Sequence, residues 1–291
     1  MVSECNRRYA IDTEIFEIID SPIGIFDSGY GGLTILEKIR QRLPQYDYLY
    51  LGDNARAPYG TRSFEIVYEF TRQAVNRLFE EGCRLVILAC NTASAKALRT
   101  IQQKDLPQTG RLQRVLGVIR PTAEKVGVLT ATRHIGVLGT PGTILSNSYT
   151  LEIQKLFPDI TVTGEACPMW VPVVENGEHN SPGADFFIQK HIHAILEKDP
   201  QIDVLVLGCT HYPLLEEKIR QYLPEHITLL SQGEYVAESL ADYLRRHPEI
   251  ETLCSKNHTL RFYSTEAGDK FANRASIFLK TPVCASRIVL E

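Results

Sequence analysis

The sequence predicts an α/β protein of two similar parallel-sheet α/β domains related by pseudo-twofold symmetry, with the active site in the interdomain cleft. Two observations carry this expectation. Short apolar runs alternate with amphipathic helical segments along most of the chain, the pattern of parallel strands covered by helices on both faces. The chain also echoes itself. IGIFDSGYGG at Ile23 returns as IGVLGTPGT at Ile135, 112 positions later, and LVILACNTASAKAL at Leu85 returns as LVLGCTHYPLLEE at Leu205, 120 positions later. Each half then has an early strand ending in a small hydroxyl residue, Ser28 or Thr140, and a later strand ending in cysteine and two polar residues. In open parallel sheets ligands bind beyond the carboxyl ends of the strands, so two facing halves would bring both cysteines to one cleft.

Taken in order, residues 1–20 (MVSECNRRYAIDTEIFEIID) contain no element that the pattern defines and read as an N-terminal extension. From Ser21 the pattern is regular. Buried strands are expected at Ile23–Phe26, Tyr48–Leu51, Leu85–Ala89, Val115–Ile119, Ile135–Leu138, Val204–Leu207 and Ile227–Leu230. LTILEKIRQRL, SFEIVYEFTRQAVNRLFEEG and FFIQKHIHAILEK repeat apolar residues every three or four positions and read as helices.

Composition narrows the function. With 291 residues, 44% hydrophobic and 23% charged, the chain is long enough to bury one large core or two smaller ones. A formal net charge of −4 and the lack of a basic run argue against phosphate-driven nucleic-acid binding. No run of 18 apolar residues and no signal-peptide pattern occur, so the expectation is a cytoplasmic protein with no membrane contact. The seven cysteines are odd in number and scattered, with no C-x-x-C pair; a reducing compartment suits them better than a disulfide framework or a zinc site.

Cys90 and Cys209 are each expected to end a strand and precede a helix. Free backbone N–H groups and a helix dipole near the sulfur would then favour the thiolate. One such cysteine is more often a core residue, but two at matching positions suggest a pair with a shared task. Inverting a tetrahedral carbon needs a base on one face and an acid on the other, and cysteine serves as either.

DSGYGG, Asp27–Gly32, follows the first strand. Its glycines allow a tight turn and close ligand approach, and Ser28 with the backbone N–H groups could hold a carboxylate. Asp27 could activate a nearby thiol or contact an ammonium group; the plain alternative is a helix-capping turn. The segment lacks the third glycine of a dinucleotide fingerprint, and no P-loop exists. In APYG, Tyr59 and Gly60 could line the cleft or simply form a turn. Asn91, Thr92, Thr210 and His211 offer donors and acceptors after the two cysteines, with N-capping as their ordinary role, and His211 is the imidazole placed to assist a thiol. Glu175 ends an apolar run and could project into the cleft. His191 and His193, two apart on a helix, do not share a face and read as packing or surface residues, leaving no metal site.

Together FDSGYGGLTIL, LGDNARAPYGTRS, LACNTASA, VLGTPGTI, VPVVEN and LGCTHYPLL resemble, in content and order, the glutamate racemases of the aspartate/glutamate racemase superfamily. The resemblance runs from about Ile23 to Leu279. It implies a cofactor-independent enzyme that interconverts L- and D-glutamate and supplies D-glutamate for peptidoglycan. It places Cys90 and Cys209 as paired acid–base catalysts, with Asp27, Glu175 and His211 assisting. Asp27, Ser28, Tyr59, Gly60, Asn91, Thr92, Thr140, Thr210 and His211 fall on substrate-holding positions. It implies a first domain of 21–116 plus 229–291 and a second of 117–228. Some longer members are activated by a cell-wall precursor or bind DNA gyrase, so these and a homodimer stand as candidate partners. The extension of 1–20 and Arg120 before its proline depart from the shortest members. Rival readings are an aspartate or other amino-acid racemase, a metal or redox protein using the cysteines and His211, and a non-catalytic amino-acid-binding protein.

Overall fold

Two parallel sheets account for every strand of the computed structural model, which describes residues 21–109 and 112–291; the expected extension of 1–20 lies outside the described residues. The chain runs β1 (Ile23–Asp27), α1 (Leu33–Arg42), β2 (Tyr48–Gly52), α2 (Phe64–Glu80), β3 (Leu85–Leu88), α3 (Asn91–Lys96), β4 (Arg114–Gly117) and α4 (Ile119–Leu129). It then forms β5 (His134–Gly139), α5 (Pro141–Leu145), α6 (Ser148–Leu156), β6 (Thr161–Ala166), α7 (Trp170–Glu175), α8 (Pro182–Lys198), β7 (Val204–Gly208), α9 (Glu216–Tyr222) and β8 (Thr228–Leu230). It returns through α10 (Gly233–Arg246), β9 (Leu260–Ser264), α11 (Gly268–Leu279) and β10 (Ser286–Arg287).

The first sheet has the order β10-β9-β2-β1-β3-β4 and the second β6-β5-β7-β8, and all neighbours are parallel. The order 2-1-3-4 of the first four strands recurs as 6-5-7-8. The two halves therefore follow one path, and each has a switch point, between β1 and β3 and between β5 and β7, where the carboxyl ends of strands open a crevice.

Burial explains why these segments are strands. β1, β2, β3 and β7 are buried at every position, so their apolar runs are continuous rather than alternating. Helices cover both faces. Leu33, Leu36 and Ile39 of α1 join Val236, Leu240 and Leu244 of α10 in one core, and Val67, Ala74 and Leu78 of α2 pack on the opposite face. Trp170 of α7 and Ile188, Ile192 and Ile195 of α8 cover the second sheet, with Ala123 and Val126 of α4 on its other side. Ser63 caps α2 and Ser181 caps α8, each side-chain oxygen accepting an amide of the first turn.

The structure corrects several details. The expected strand Val115–Ile119 ends at Gly117, because Ile119 already opens α4. Strands β6, β9 and β10 carry too few consecutive apolar residues to be read from sequence. Pairing keeps Gly117 in the first sheet opposite Leu88, and Leu229 and Leu230 in the second opposite Leu205 and Val206. Strand pairing thus passes from the first sheet to the second after Gly117 and leaves the second after Leu230. No described helix is long and apolar enough to cross a membrane.

Candidate active site

Cys90 and Cys209 follow β3 and β7, the third strands of the two matching paths, and both line one cavity between the halves. Its volume is about 100 Å³, on a measure in which one water needs roughly 10–15 Å³, so a small molecule fits. Ser28, Tyr59, Gly60, Asn91, Thr92, Thr140, Glu175, Thr210 and His211 line it as well. Asp27 alone of the expected residues does not; it is buried beside the wall, where its Oδ2 accepts the Gly29 amide at 2.9 Å.

Around Cys90 the partners come from its own half. Its sulfur stands 3.3 Å from Ser28 Oγ and caps α3 by accepting the Ala93 amide at 3.4 Å. The expectation that a helix N-terminus would favour the thiolate is overturned here. Burial, reinforced by the Asp27 carboxylate, pushes the Cys90 thiol up to about 12. The six-residue α3 and the Ser28 hydroxyl are too weak to offset the loss of hydration. Burial also raises Asp27, against the opposing pull of His211 and the Gly32 and Gly29 amides.

Cys209 has different company. Its sulfur is 3.8 Å from His211 Nδ1, and His211 Nε2 is 3.0 Å from Glu175 Oε1. Burial pulls the imidazolium down, but its bonds to the Cys209 sulfur and the Glu175 carboxylate prevail and place His211 at about 10. The residues after Cys209 form a single 3₁₀ turn, Tyr212–Leu215, before α9, so the neighbouring charge at this sulfur is an imidazolium rather than a long helix dipole.

Glycines bring the halves together. A Cβ at Gly31 would collide with Thr210 Oγ1 and lie 2.5 Å from His211 Nδ1, and one at Gly29 would lie 3.0 Å from Glu175 Oε1. None of these loop glycines has a positive φ; among the described glycines only Gly82 and Gly177 do. Their task in DSGYGG is therefore close approach of the second half. On the opposite rim Gly142 N donates to Gly60 O at 2.7 Å, and Thr92 Oγ1 meets Thr140 Oγ1 at 2.9 Å.

Several participants escaped the sequence reading. Pro58, Thr61, Pro141, Pro168, Val171 and Pro172 also line the cavity. Tyr59 is held by its hydroxyl on the fully buried Asp53 carboxylate, which also accepts Arg56 Nε at 2.7 Å and Thr265 Oγ1 at 2.8 Å. Asp53 sits inside the GDNARAPYG motif, so its signal was present but carried no spacing. His191 is a packing residue, buried against Trp170 and bonded to Glu165 at 2.6 Å, and His193 is exposed. Among the described residues no three His, Cys, Asp or Glu side chains converge as metal ligands would.

This arrangement matches known proteins. The Asp/Glu/Hydantoin racemase family model matches residues 31–240. The chain belongs to that family. Glutamate racemase of Ruegeria sp. (strain TM1040) is 38% identical over 271 residues, 90% of this racemase and 97% of that protein. The crystal structure of a glutamate racemase isoform from Bacillus anthracis superposes with a TM-score of 0.85 at 34% identity, covering 94% of this racemase and 98% of that chain. Escherichia coli glutamate racemase, solved with L-glutamate and its activator UDP-MurNAc-Ala, superposes with a TM-score of 0.72 at 27% identity over 93% and 99%. The racemase is thus an isomerase with the two-sheet fold of these enzymes.

Proposed function

We propose that this racemase interconverts L- and D-glutamate, without a cofactor, by proton transfer between Cys90, Cys209 and the α-carbon. The observation that carries the reading is the pair of cysteines at matching strand ends, both facing one cavity. One sulfur removes the α-proton as a thiolate while the other, as a thiol, delivers its proton to the opposite face. The carbon inverts and the sulfurs exchange protonation states. Burial raises the Cys90 thiol, so Cys90 would serve as the acid when the α-proton faces Cys209, which lies beside the His211–Glu175 pair. Ser28, Tyr59, Gly60, Asn91, Thr92, Thr140, Thr210 and His211 would hold the substrate, with Asp27 acting on Cys90. The domains would comprise 21–116 plus 229–291 and 117–228, and the D-glutamate formed would serve peptidoglycan synthesis.

Incubation with L-glutamate in deuterated water, with neither pyridoxal phosphate nor added metal, should yield D-glutamate carrying deuterium at the α-carbon. Product without solvent deuterium, or faster turnover of aspartate than of glutamate, would overturn the assignment.

A cell-wall precursor as activator has its own supporting observation. A groove of about 490 Å³ lies between the halves, away from the cysteines, and sets Arg99, Arg120, Lys155 and Arg246 against Glu124 and Glu152. A surplus of cations suits an anionic sugar nucleotide. Arg99→Glu should weaken activation by UDP-MurNAc-Ala and leave the unstimulated rate unchanged; equal activation of both proteins would exclude the groove.

A further inference from the structure

Behind the cavity wall, three polar side chains close a ring of hydrogen bonds, and a fourth ties that ring to the backbone. Asn91 Nδ2 donates to Gln232 Oε1 at 2.7 Å, Gln232 Nε2 donates to Tyr149 Oη at 2.6 Å, and Tyr149 Oη donates to Asn91 Oδ1 at 2.7 Å. Gln232 Nε2 also donates to Thr122 Oγ1 at 2.8 Å, and Thr122 Oγ1 donates to the Val118 carbonyl at 2.8 Å. All four residues are buried.

The direction of every bond follows from one backbone group. The Val118 carbonyl can only accept, so the Thr122 hydroxyl proton is committed to it and Thr122 Oγ1 must accept from Gln232. That forces the Gln232 amide to turn its nitrogen towards Thr122 and Tyr149 and its oxygen towards Asn91. Asn91 must then offer nitrogen to Gln232, and its oxygen takes the Tyr149 proton. An asparagine nitrogen has two protons, so one N–H of Asn91 is the ring's uncommitted donor. Asn91 is also the only one of the four that lines the cavity.

The ring sits where the chain crosses between halves. Val118 and Thr122 lie at the first crossing and Gln232 at the second, while Asn91 follows β3 of the first sheet and Tyr149 belongs to α6, packed on the second. An Asn91 amide turned the other way would set an acceptor oxygen where its second N–H now stands, and an oxygen repels a carboxylate.

We infer that Gln232 and Tyr149 are positioning residues that fix the sense of the Asn91 amide, so that the cavity meets a substrate carboxylate with an N–H and not with a carbonyl oxygen. The inference rests on the reading that the cavity takes a dicarboxylate. It assigns specificity for an acceptor-only group to residues that never touch the ligand.

Glutarate, which lacks the amino group and cannot be racemised, separates binding from turnover. Tyr149→Phe deletes one oxygen. It should raise the glutarate inhibition constant and the glutamate KM together, by about tenfold, as expected for a lost hydrogen bond to a charged group. The kcat should stay within about threefold, since uniform binding is lost rather than transition-state stabilisation. Gln232→Leu should do the same in the native background and add nothing in an Asn91→Ala background, because its effect passes through Asn91. Folded variants with unchanged inhibition constants, or a Gln232→Leu effect that persists in full without Asn91, would overturn the inference. Should Gln232→Leu fail to fold, Tyr149→Phe decides alone. A wild-type protein that binds neither glutarate nor glutamate overturns the functional reading instead, which the deuterium experiment shows independently.

Discussion

The two halves share a strand order and differ in what surrounds their cysteines. In the first, Cys90 has a hydroxyl 3.3 Å away and a buried carboxylate nearby, and burial raises its thiol to about 12. In the second, Cys209 has an imidazole at 3.8 Å, itself tied to Glu175 at 3.0 Å. Symmetric backbone supplies matched positions, and dissimilar side chains after each strand give the two sulfurs dissimilar partners, Ser28 for Cys90 and His211 for Cys209. A reaction that inverts a carbon by two thiols needs facing positions with unlike protonation states, and under the proposed mechanism the matched strand ends would supply the first and the unlike partners the second.

The largest test removes one sulfur at a time. Cys90→Ser and Cys209→Ser should each lower racemisation by at least about 10³-fold, within the range expected for general acid–base groups. The comparison sharpens if a substrate carrying a leaving group on its β-carbon is used. Elimination needs only one base, so each variant should retain it with the enantiomer whose α-proton faces the remaining sulfur. Equal loss of elimination for both enantiomers in both variants would mean that the cysteines do not act from opposite faces.

A smaller loss should follow from pushing the halves apart without touching either sulfur. Gly31→Ala places a methyl group 2.5 Å from His211 Nδ1 and against Thr210 Oγ1, so the second half must shift. A displacement near 1 Å can cost roughly 10²-fold in rate, and kcat should fall by about that much. Gly183→Ala is the control, because its methyl would meet nothing nearer than 3.5 Å. Activity of Gly31→Ala within about threefold of wild type would remove the claim that this loop is glycine-rich to admit His211.

How much of this was legible in the sequence follows the range of each interaction. Fully buried strands such as Ile23–Asp27 and Val204–Gly208 announce themselves because burial on both faces demands an unbroken apolar run. β6 carries Gly164 and Glu165 within its six residues and β10 is only two residues long, so neither forms an apolar run. β9 is interior, but its LRFYS alternates with a charged residue and is only five residues long. The cysteines were legible through the internal echo, and His211 through its neighbour Cys209. Gln232, Tyr149 and Thr122 were not, since the ring joins positions up to 141 residues apart and leaves no local spacing. The protonation of Cys90 was misjudged for the same reason: a helix N-terminus is visible in sequence, while burial and the Asp27 carboxylate, 63 positions earlier, belong to tertiary structure.

The gentlest test asks whether the imidazole of the second half is charged at rest. His211 holds its proton to about pH 10 in the folded protein, whereas in an unfolded chain an imidazole loses it near 6.5. Below pH 6.5 both states are protonated and the full stabilisation stands. Between 6.5 and 10 the unfolded chain releases a proton that the folded protein keeps, so stability falls as pH rises. Cys90 contributes a loss of the same sign, but only between about 9 and 12, which leaves pH 6.5–9 to His211. Each pKa unit is about 1.4 kcal/mol, and 1 kcal/mol moves the melting temperature of a chain this size by roughly 2–4 °C. The wild-type melting temperature should therefore drop over this window by about 6–12 °C more than that of His211→Gln, which has no proton to lose. Parallel melting curves for the two proteins from pH 6.5 to 9 would show a neutral imidazole at rest, and the contrast between the halves would then reduce to the buried thiol of Cys90.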